Sequence, residues 1–306
     1  MIEVKNLVKK YGDFKAVDDI SFNIGKGEIV GFLGPNGAGK TTTIRMLTGF
    51  SPATSGQAYV NGFEVFEKPM EVKKSIGYLP EFPPVYPDLT VRDYLSFVAE
   101  IKGIEKKLKK ERIDYVTQKC GLSEVIDKEI SKLSKGFKQR VGIAQALIHN
   151  PLILFLDEPT SGLDPIQIIE VRNLIRELRN EHTIFLSSHI LPEVSALCDK
   201  VIIIANGKIM AVDTPERLST GMSGQKTFTF NFLDDISKAE NIISQFENIN
   251  NIKVVENSLE VKVNDISDIP LIVRRAVENR LDITGVIPKT ASLEEVFLHL
   301  TTKEGA

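Results

Sequence analysis

Residues 29–41 read IVGFLGPNGAGKT, an apolar run of strand character that passes directly into a loop of three glycines ending in Lys-Thr. The loop from Gly34 to Thr41 fits the pattern G-x-x-x-x-G-K-[ST] without a mismatch. Its glycines let the amides of Gly34, Pro35, Asn36, Gly37, Ala38 and Gly39 turn around phosphate oxygens, proline contributing shape alone. The helix expected from Lys40, through Thr41 and Thr42, points the positive end of its dipole at the same anion. Lys40 adds a full charge toward the terminal phosphates, and the Thr41 hydroxyl suits Mg²⁺ coordination. A continuously apolar strand ahead of the loop is the mark of a parallel sheet covered on both faces.

Similar runs recur at 152–156, 183–187 and 201–205, separated by helical periodicity such as Val171, Leu174, Ile175 and Leu178. The chain therefore predicts an α/β domain over residues 1–220. Residues 81–150 lack such runs and read as an inserted helical subdomain, with a capping box TVRD at 90–93 opening a helix over 91–102. Residues 221–225 (GMSGQ) read as a linker. Beyond it, residues 226–306 alternate strand and helix patterns in the order β-α-β-β-α-β, which predicts a small α+β ferredoxin-like domain closed by a helix over 293–300.

At 306 residues, two domains is the expected count. A net charge of -3 and a tail richer in acids than bases argue against nucleic acid as a partner. Cys120 and Cys198 have no metal-ligand spacing. No run approaches the roughly 18 apolar residues a membrane span needs, and the acid-bearing start MIEVKN has no export-signal pattern. The expectation is a cytoplasmic chain whose membrane role comes from a partner.

Two further motifs carry chemistry. In LILFLDEP (152–159), Asp157 follows a buried strand at the carboxyl end where α/β sheets bind ligands. It suits Mg²⁺, and Glu158 is the candidate general base for attack of water on a phosphoryl group. In LSKGFKQR (133–140), Ser134 as N-cap with Lys135 and Gly136 in the first turn makes a second anion site at a helix N-terminus.

LSKGF resembles the signature segment of ATP-binding-cassette (ABC) ATPases, whose usual consensus is LSGGQ. The resemblance covers residues 1–220 and implies a P-loop cassette core, a mostly parallel sheet flanked by helices. On it, Tyr11 stacks on adenine, residues 161–164 ending in Asp164 form the D-loop, and His189 hydrogen-bonds the γ-phosphate. Glu81 stands where the family normally has a glutamine that contacts Mg²⁺ and the attacking water. The resemblance further implies ATP and Mg²⁺ as cofactors and a homodimer, or a pseudo-dimer with a related ATPase. Each ATP would then lie between the phosphate loop of one chain and Ser134, Lys135 and Gly136 of the other. Integral-membrane permease subunits dock near residues 81–88 in this family, with Phe82, Val85 and Tyr86 as contact candidates. The tail at 290–301 is similar to tails of ABC-2-type exporter ATPases. The competing expectation is a soluble ABC ATPase acting as a regulator or on nucleic acid or the ribosome. Such forms usually carry paired cassettes, zinc modules or basic arms, and the sequence has none.

Overall fold

The computed structural model describes residues 1–221, 226–233, 236–244, 249–255, 257–263, 265–289 and 297–298. They form two compact units, Met1–Pro215 and Glu216–Ala306. In chain order the first unit begins β1 (Ile2–Tyr11), β2 (Phe14–Ile24), β3 (Ile29–Leu33), α1 (Lys40–Leu47), β4 (Ser55–Val60) and β5 (Phe63–Glu64). It continues with α2 (Pro69–Ser75), β6 (Ile76–Leu79), α3 (Val91–Ile101), α4 (Lys106–Lys119), α5 (Lys135–Leu147) and β7 (Ile153–Asp157). After these come α6 (Pro165–Leu178), β8 (Thr183–Ser188), α7 (Leu191–Leu197), β9 (Lys200–Ala205) and β10 (Lys208–Asp213).

Six of these strands make one sheet in the order β10-β9-β3-β8-β7-β6, parallel except for the antiparallel edge strand β10. Every residue of β3, β7 and β8 is buried, because both faces are covered. On one face lie α7 and its neighbours, so close that a Cβ on Gly31 would sit 2.6 Å from Val194 and 2.9 Å from the Cys198 sulfur. The other face is covered by a second sheet, β2-β1-β4-β5, which the sequence reading did not anticipate. Phe22 of β2 stacks on Phe185 of β8 at 5.9 Å and meets Phe32 of β3 at 6.0 Å. The second sheet was hidden because β1 and β2 break period-two alternation. Their register shifts between Val4 and Lys10, and Asn6 and Asp19 adopt left-handed φ of 47° and 57°.

The helical stretch contains α3, α4 and α5. Thr90 caps α3 by accepting from the Asp93 amide at 3.1 Å, while the Asp93 carboxylate accepts from the Thr90 hydroxyl at 2.7 Å rather than reaching a backbone N–H. Among the described residues, no helix is long and apolar enough to cross a membrane.

Beyond α8 (Pro215–Gly221), the second unit runs β11 (Lys226–Phe232), α9 (Ile236–Ile243), β12 (Ile249–Val255), β13 (Ser258–Val263), α10 (Asp268–Glu278) and β14 (Ile283–Lys289). Its sheet is antiparallel in the order β12-β13-β11-β14, the arrangement of a ferredoxin-like β-α-β-β-α-β unit. Phe228, Phe230 and Phe232 alternate inward from β11 against Ala239, Ile243, Ile272 and Ala276 of the two helices. Gly221 ends α8, and the rest of the expected linker lies outside the described residues. So does the closing helix expected over 293–300, apart from Phe297 and Leu298.

Candidate functional site

The loop after β3 is shaped by close approach. A Cβ on Gly34 would fall 2.4 Å from the Ile204 carbonyl, and one on Gly39, at φ 107°, 2.5 Å from that of Ala16. No side chain fits either position, so the backbone itself lines the loop. Lys40 is folded into it and only 6% exposed. Its ammonium donates to the carbonyls of Gly34 at 2.8 Å and Pro35 at 3.2 Å, and lies 3.3 Å from Glu158 Oε1.

β8 lies between β3 and β7, and its Ser187 holds the two acids at the end of β7, while Thr41 and Lys40 reach them from the phosphate loop. Ser187 Oγ donates to Asp157 Oδ1 at 2.6 Å and accepts from the Glu158 amide at 3.0 Å. Thr41 Oγ1 also donates to Asp157 Oδ1, at 3.3 Å. The other oxygen, Asp157 Oδ2, is buried without a hydrogen-bond partner. Burial pushes the Asp157 carboxyl above its ordinary pKa, and the hydrogen bonds from Ser187 and Thr41 pull the other way.

Glu158 takes a left-handed φ of 49°, which aims its side chain back over the loop. Such a conformation costs a non-glycine residue about 1–3 kcal/mol and persists where surrounding contacts over-determine it. Here Lys40 holds Oε1, and His189 Nδ1 holds Oε2 at 2.8 Å.

These groups open onto a cleft of ≈ 610 Å³ lined by Tyr11, Asn36, Gly37, Gly39, Lys40, Thr41, Thr42, Glu81, Glu158 and His189, together with Phe14, Ala16 and Ser161. Tyr11 is 51% exposed at its mouth, with the Lys9 ammonium 5.1 Å from the ring centroid. Phe14 pairs with Tyr11 across the hairpin and is 64% exposed. Sequence reading missed Phe14, although an exposed aromatic two residues past Gly12 was a usable signal once Tyr11 was singled out.

Four of the expected ligands lie elsewhere. Ser134 caps α5 by accepting from the Phe137 amide at 3.3 Å. Lys135 is extended over Gly162, and Gly136 leaves no room for a Cβ against Gln167, 2.5 Å away. Asp164 caps α6 through the Gln167 amide at 3.0 Å. Within one chain, then, the signature segment contacts the turn at 161–167, whose Ser161 lines the cleft, and does not line the cleft itself.

The donors suit a hard cation: a buried carboxylate with one unpaired oxygen, beside a threonine hydroxyl. Mg²⁺ is typically held by one or two carboxylates plus substrate phosphates rather than by an all-protein cage. Among the described residues no group of three His, Cys, Asp or Glu side chains is assembled for a metal.

Known proteins resemble this chain. The ABC transporter family model matches residues 17–161. The bacitracin transport ATP-binding protein BcrA of Bacillus licheniformis is 40% identical over 302 residues, 98% of this chain and 97% of that protein. The linearmycin resistance ATP-binding protein LnrL of Bacillus subtilis is 31% identical over 306 residues, 98% of each. Among solved structures, cbiO1 from Clostridium perfringens, part of the ABC transporter complex cbiONQ, superposes with a TM-score of 0.66 at 30% identity. That likeness covers 71% of this chain and 89% of cbiO1. Since the likeness to BcrA and LnrL extends over both units while the phosphate loop and Glu158 line one cleft, the chain belongs to the ATP-binding, ATP-hydrolysing proteins of ABC transporters.

Proposed function

We propose that this chain powers an ABC-2-type exporter, hydrolysing ATP in a site that a second copy completes. The observation that carries the catalytic part is Glu158, buried, strained and held between Lys40 and His189. ATP binds with adenine against Tyr11, Phe14 adding a second ring, and with the triphosphate in the loop from Gly34 to Thr42. Lys40 leaves the carbonyls of Gly34 and Pro35 for the β- and γ-phosphates, which releases Glu158 from its ion pair. Glu158 then takes a proton from water as the water oxygen bonds to the γ-phosphorus; the bond to the β–γ bridging oxygen breaks, leaving ADP and phosphate. His189 holds the γ-phosphate and orients Glu158. Thr41 and Asp157 would hold Mg²⁺, which supplies charge neutralisation on the phosphates when bound.

Two copies are invoked because Ser134 and Lys135 are exposed and are not among the residues that line their own chain's cleft, which leaves them to a nucleotide held by a partner. Glu81 lines the cleft as a carboxylate where a glutamine amide would serve equally as an oxygen donor. Glu81→Gln is therefore expected to keep steady-state ATP turnover within about threefold; a collapse of turnover would assign the charge itself a role.

The export reading draws on the names of BcrA and LnrL, a transport and a resistance protein. It also draws on a docking face. A second cleft of ≈ 500 Å³, beside the loop at 81–88, is lined by Arg45, Phe50, Lys73, Tyr78, Pro84 and Lys102 among others, and among the described residues no carboxylate lines it. Phe82 and Tyr86 of the adjacent loop are 77% and 53% exposed. Lys102, one of five lysines between 102 and 110, points into this cleft, whereas Lys107 and Lys109 are ion-paired to Glu105 and Glu100. We assign this face to the permease subunits, which would keep the chain at the cytoplasmic surface of the membrane. Co-expressed with its membrane subunits, Lys102→Glu is expected to co-purify about tenfold less than wild type. ATP turnover of the isolated variant should be unchanged. Equal recovery of variant and wild type would move the docking face elsewhere.

A further inference from the structure

Behind the cleft, α7 carries a buried carboxylate with no part in the steps above. Glu193 is 4% exposed. Its Oε2 accepts from Thr160 Oγ1 at 2.5 Å and from Ser188 Oγ at 3.4 Å. Its Oε1 faces the Arg172 guanidinium of α6 at 3.6 Å and has no hydrogen-bond partner. Thr160 lies two residues beyond Glu158, and Ser188 directly precedes His189. Ser188 Oγ also accepts from the Ile190 amide at 3.0 Å, so it braces the chain on the far side of His189.

We propose that Glu193 is a positioning residue for ATP hydrolysis, a clamp that ties the turn carrying Glu158 to the loop carrying His189. The inference rests on the roles given above to those two residues. A buried carboxylate is ordinarily there to pair with a cation. Glu193 does so only loosely, and its shortest contacts go to two hydroxyls on the two catalytic segments. Each segment leaves a different strand, β7 or β8, and the strand ladder ends at Asp157 and Ser187. Past that point the Glu158 amide still donates to Ser187 Oγ at 3.0 Å, and Glu193 adds a second tie farther along both segments, which matters more once nucleotide draws Lys40 away. A carboxylate suits the position because both oxygens only accept, one from the hydroxyls and one toward Arg172. A glutamine must turn its NH₂ group toward one of these sets of donors.

The test uses the full chain with Glu193→Gln, Thr160→Val and the double variant, reading kcat and KM for ATP hydrolysis and, separately, the ATP Kd by equilibrium binding. Glu193→Gln is expected to lower kcat about tenfold while KM and Kd stay within about twofold, since misplacement of reacting groups is felt in turnover before binding. Thr160→Val should act in the same direction, and the double variant should be little worse than Glu193→Gln, because both substitutions act on the same Thr160–Glu193 contact. A folded Glu193→Gln chain with kcat within twofold of wild type overturns the clamp; so does a fall in kcat and thermal midpoint accompanied by a parallel rise in Kd, the mark of a purely structural group. Should Glu193→Gln not fold, Thr160→Val and Ser188→Ala, which remove only hydroxyls, decide by the same criterion. Glu158→Gln is measured alongside. If it turns over like wild type, the assignment of Glu158 fails; if it is inactive while Glu193→Gln is normal, only the clamp fails.

Discussion

Glu158→Gln is expected to lower ATP turnover by about 10²–10⁴-fold, the range a positioned general base supplies, while ATP binding is retained. Glutamine preserves the shape of the side chain and the backbone N–H that donates to Ser187. It removes the proton acceptor and the charge that Lys40 faces at 3.3 Å. With that ion pair gone, Lys40 is freer to meet the phosphates, so the ATP Kd should stay level or tighten. The left-handed backbone at 158 costs about the same in both proteins, which keeps strain from explaining the loss. Single-turnover hydrolysis with an independent measurement of bound nucleotide reads both quantities. A variant that hydrolyses ATP at the wild-type rate would remove Glu158 from the chemistry.

The second large effect concerns Asp157, where catalysis and stability should move in opposite directions. The Asp157 carboxyl is raised in the folded chain, chiefly by burial. Its favourable contribution to folding is therefore complete below its unfolded value and is lost as pH rises through the folded one. At neutral pH the ionised group, one oxygen of which has no hydrogen-bond partner, opposes folding unless a cation sits beside it. Asp157→Asn keeps an acceptor for Ser187 and Thr41 but carries no charge. The nucleotide-free variant should accordingly melt about 2–4 °C higher at neutral pH, roughly 1 kcal/mol for a unit of this size. The gain should shrink as pH falls and the wild-type carboxyl protonates. Turnover should fall by about a hundredfold or more. Melting curves across pH, without nucleotide or divalent cation, check the sign; a variant less stable than wild type at neutral pH would mean that Asp157 is held by contacts that outweigh its burial.

What could be read from the sequence follows how local each feature is. Residues 34–41 announce themselves because one uninterrupted segment supplies strand end, glycines and lysine, and the parallel sheet is visible because its strands are apolar on both faces. Glu158 and His189 were approachable for a related reason: each directly follows such a strand. The antiparallel sheet of β1, β2, β4 and β5 was not legible, since left-handed residues at Asn6 and Asp19 shift the register that alternation depends on. Ser187 and Glu193 were invisible for another reason. A serine near the end of a strand and a glutamate in a short helix become significant only when the fold brings them to Asp157 and Thr160. Ser134 and Gly136 show the reverse case. Their pattern is plain in the sequence, yet their partners within the chain are a helix cap and Gln167 rather than the cleft.

That separation makes the second copy the central claim. The most direct measurement is the solution mass of Glu158→Gln by light scattering after gel filtration, with ATP and Mg²⁺ and again with ADP. ATP is expected to give a species of twice the chain mass that persists through the run, and ADP the single chain. A strictly monomeric mass under saturating ATP and Mg²⁺ would contradict a nucleotide shared between two copies.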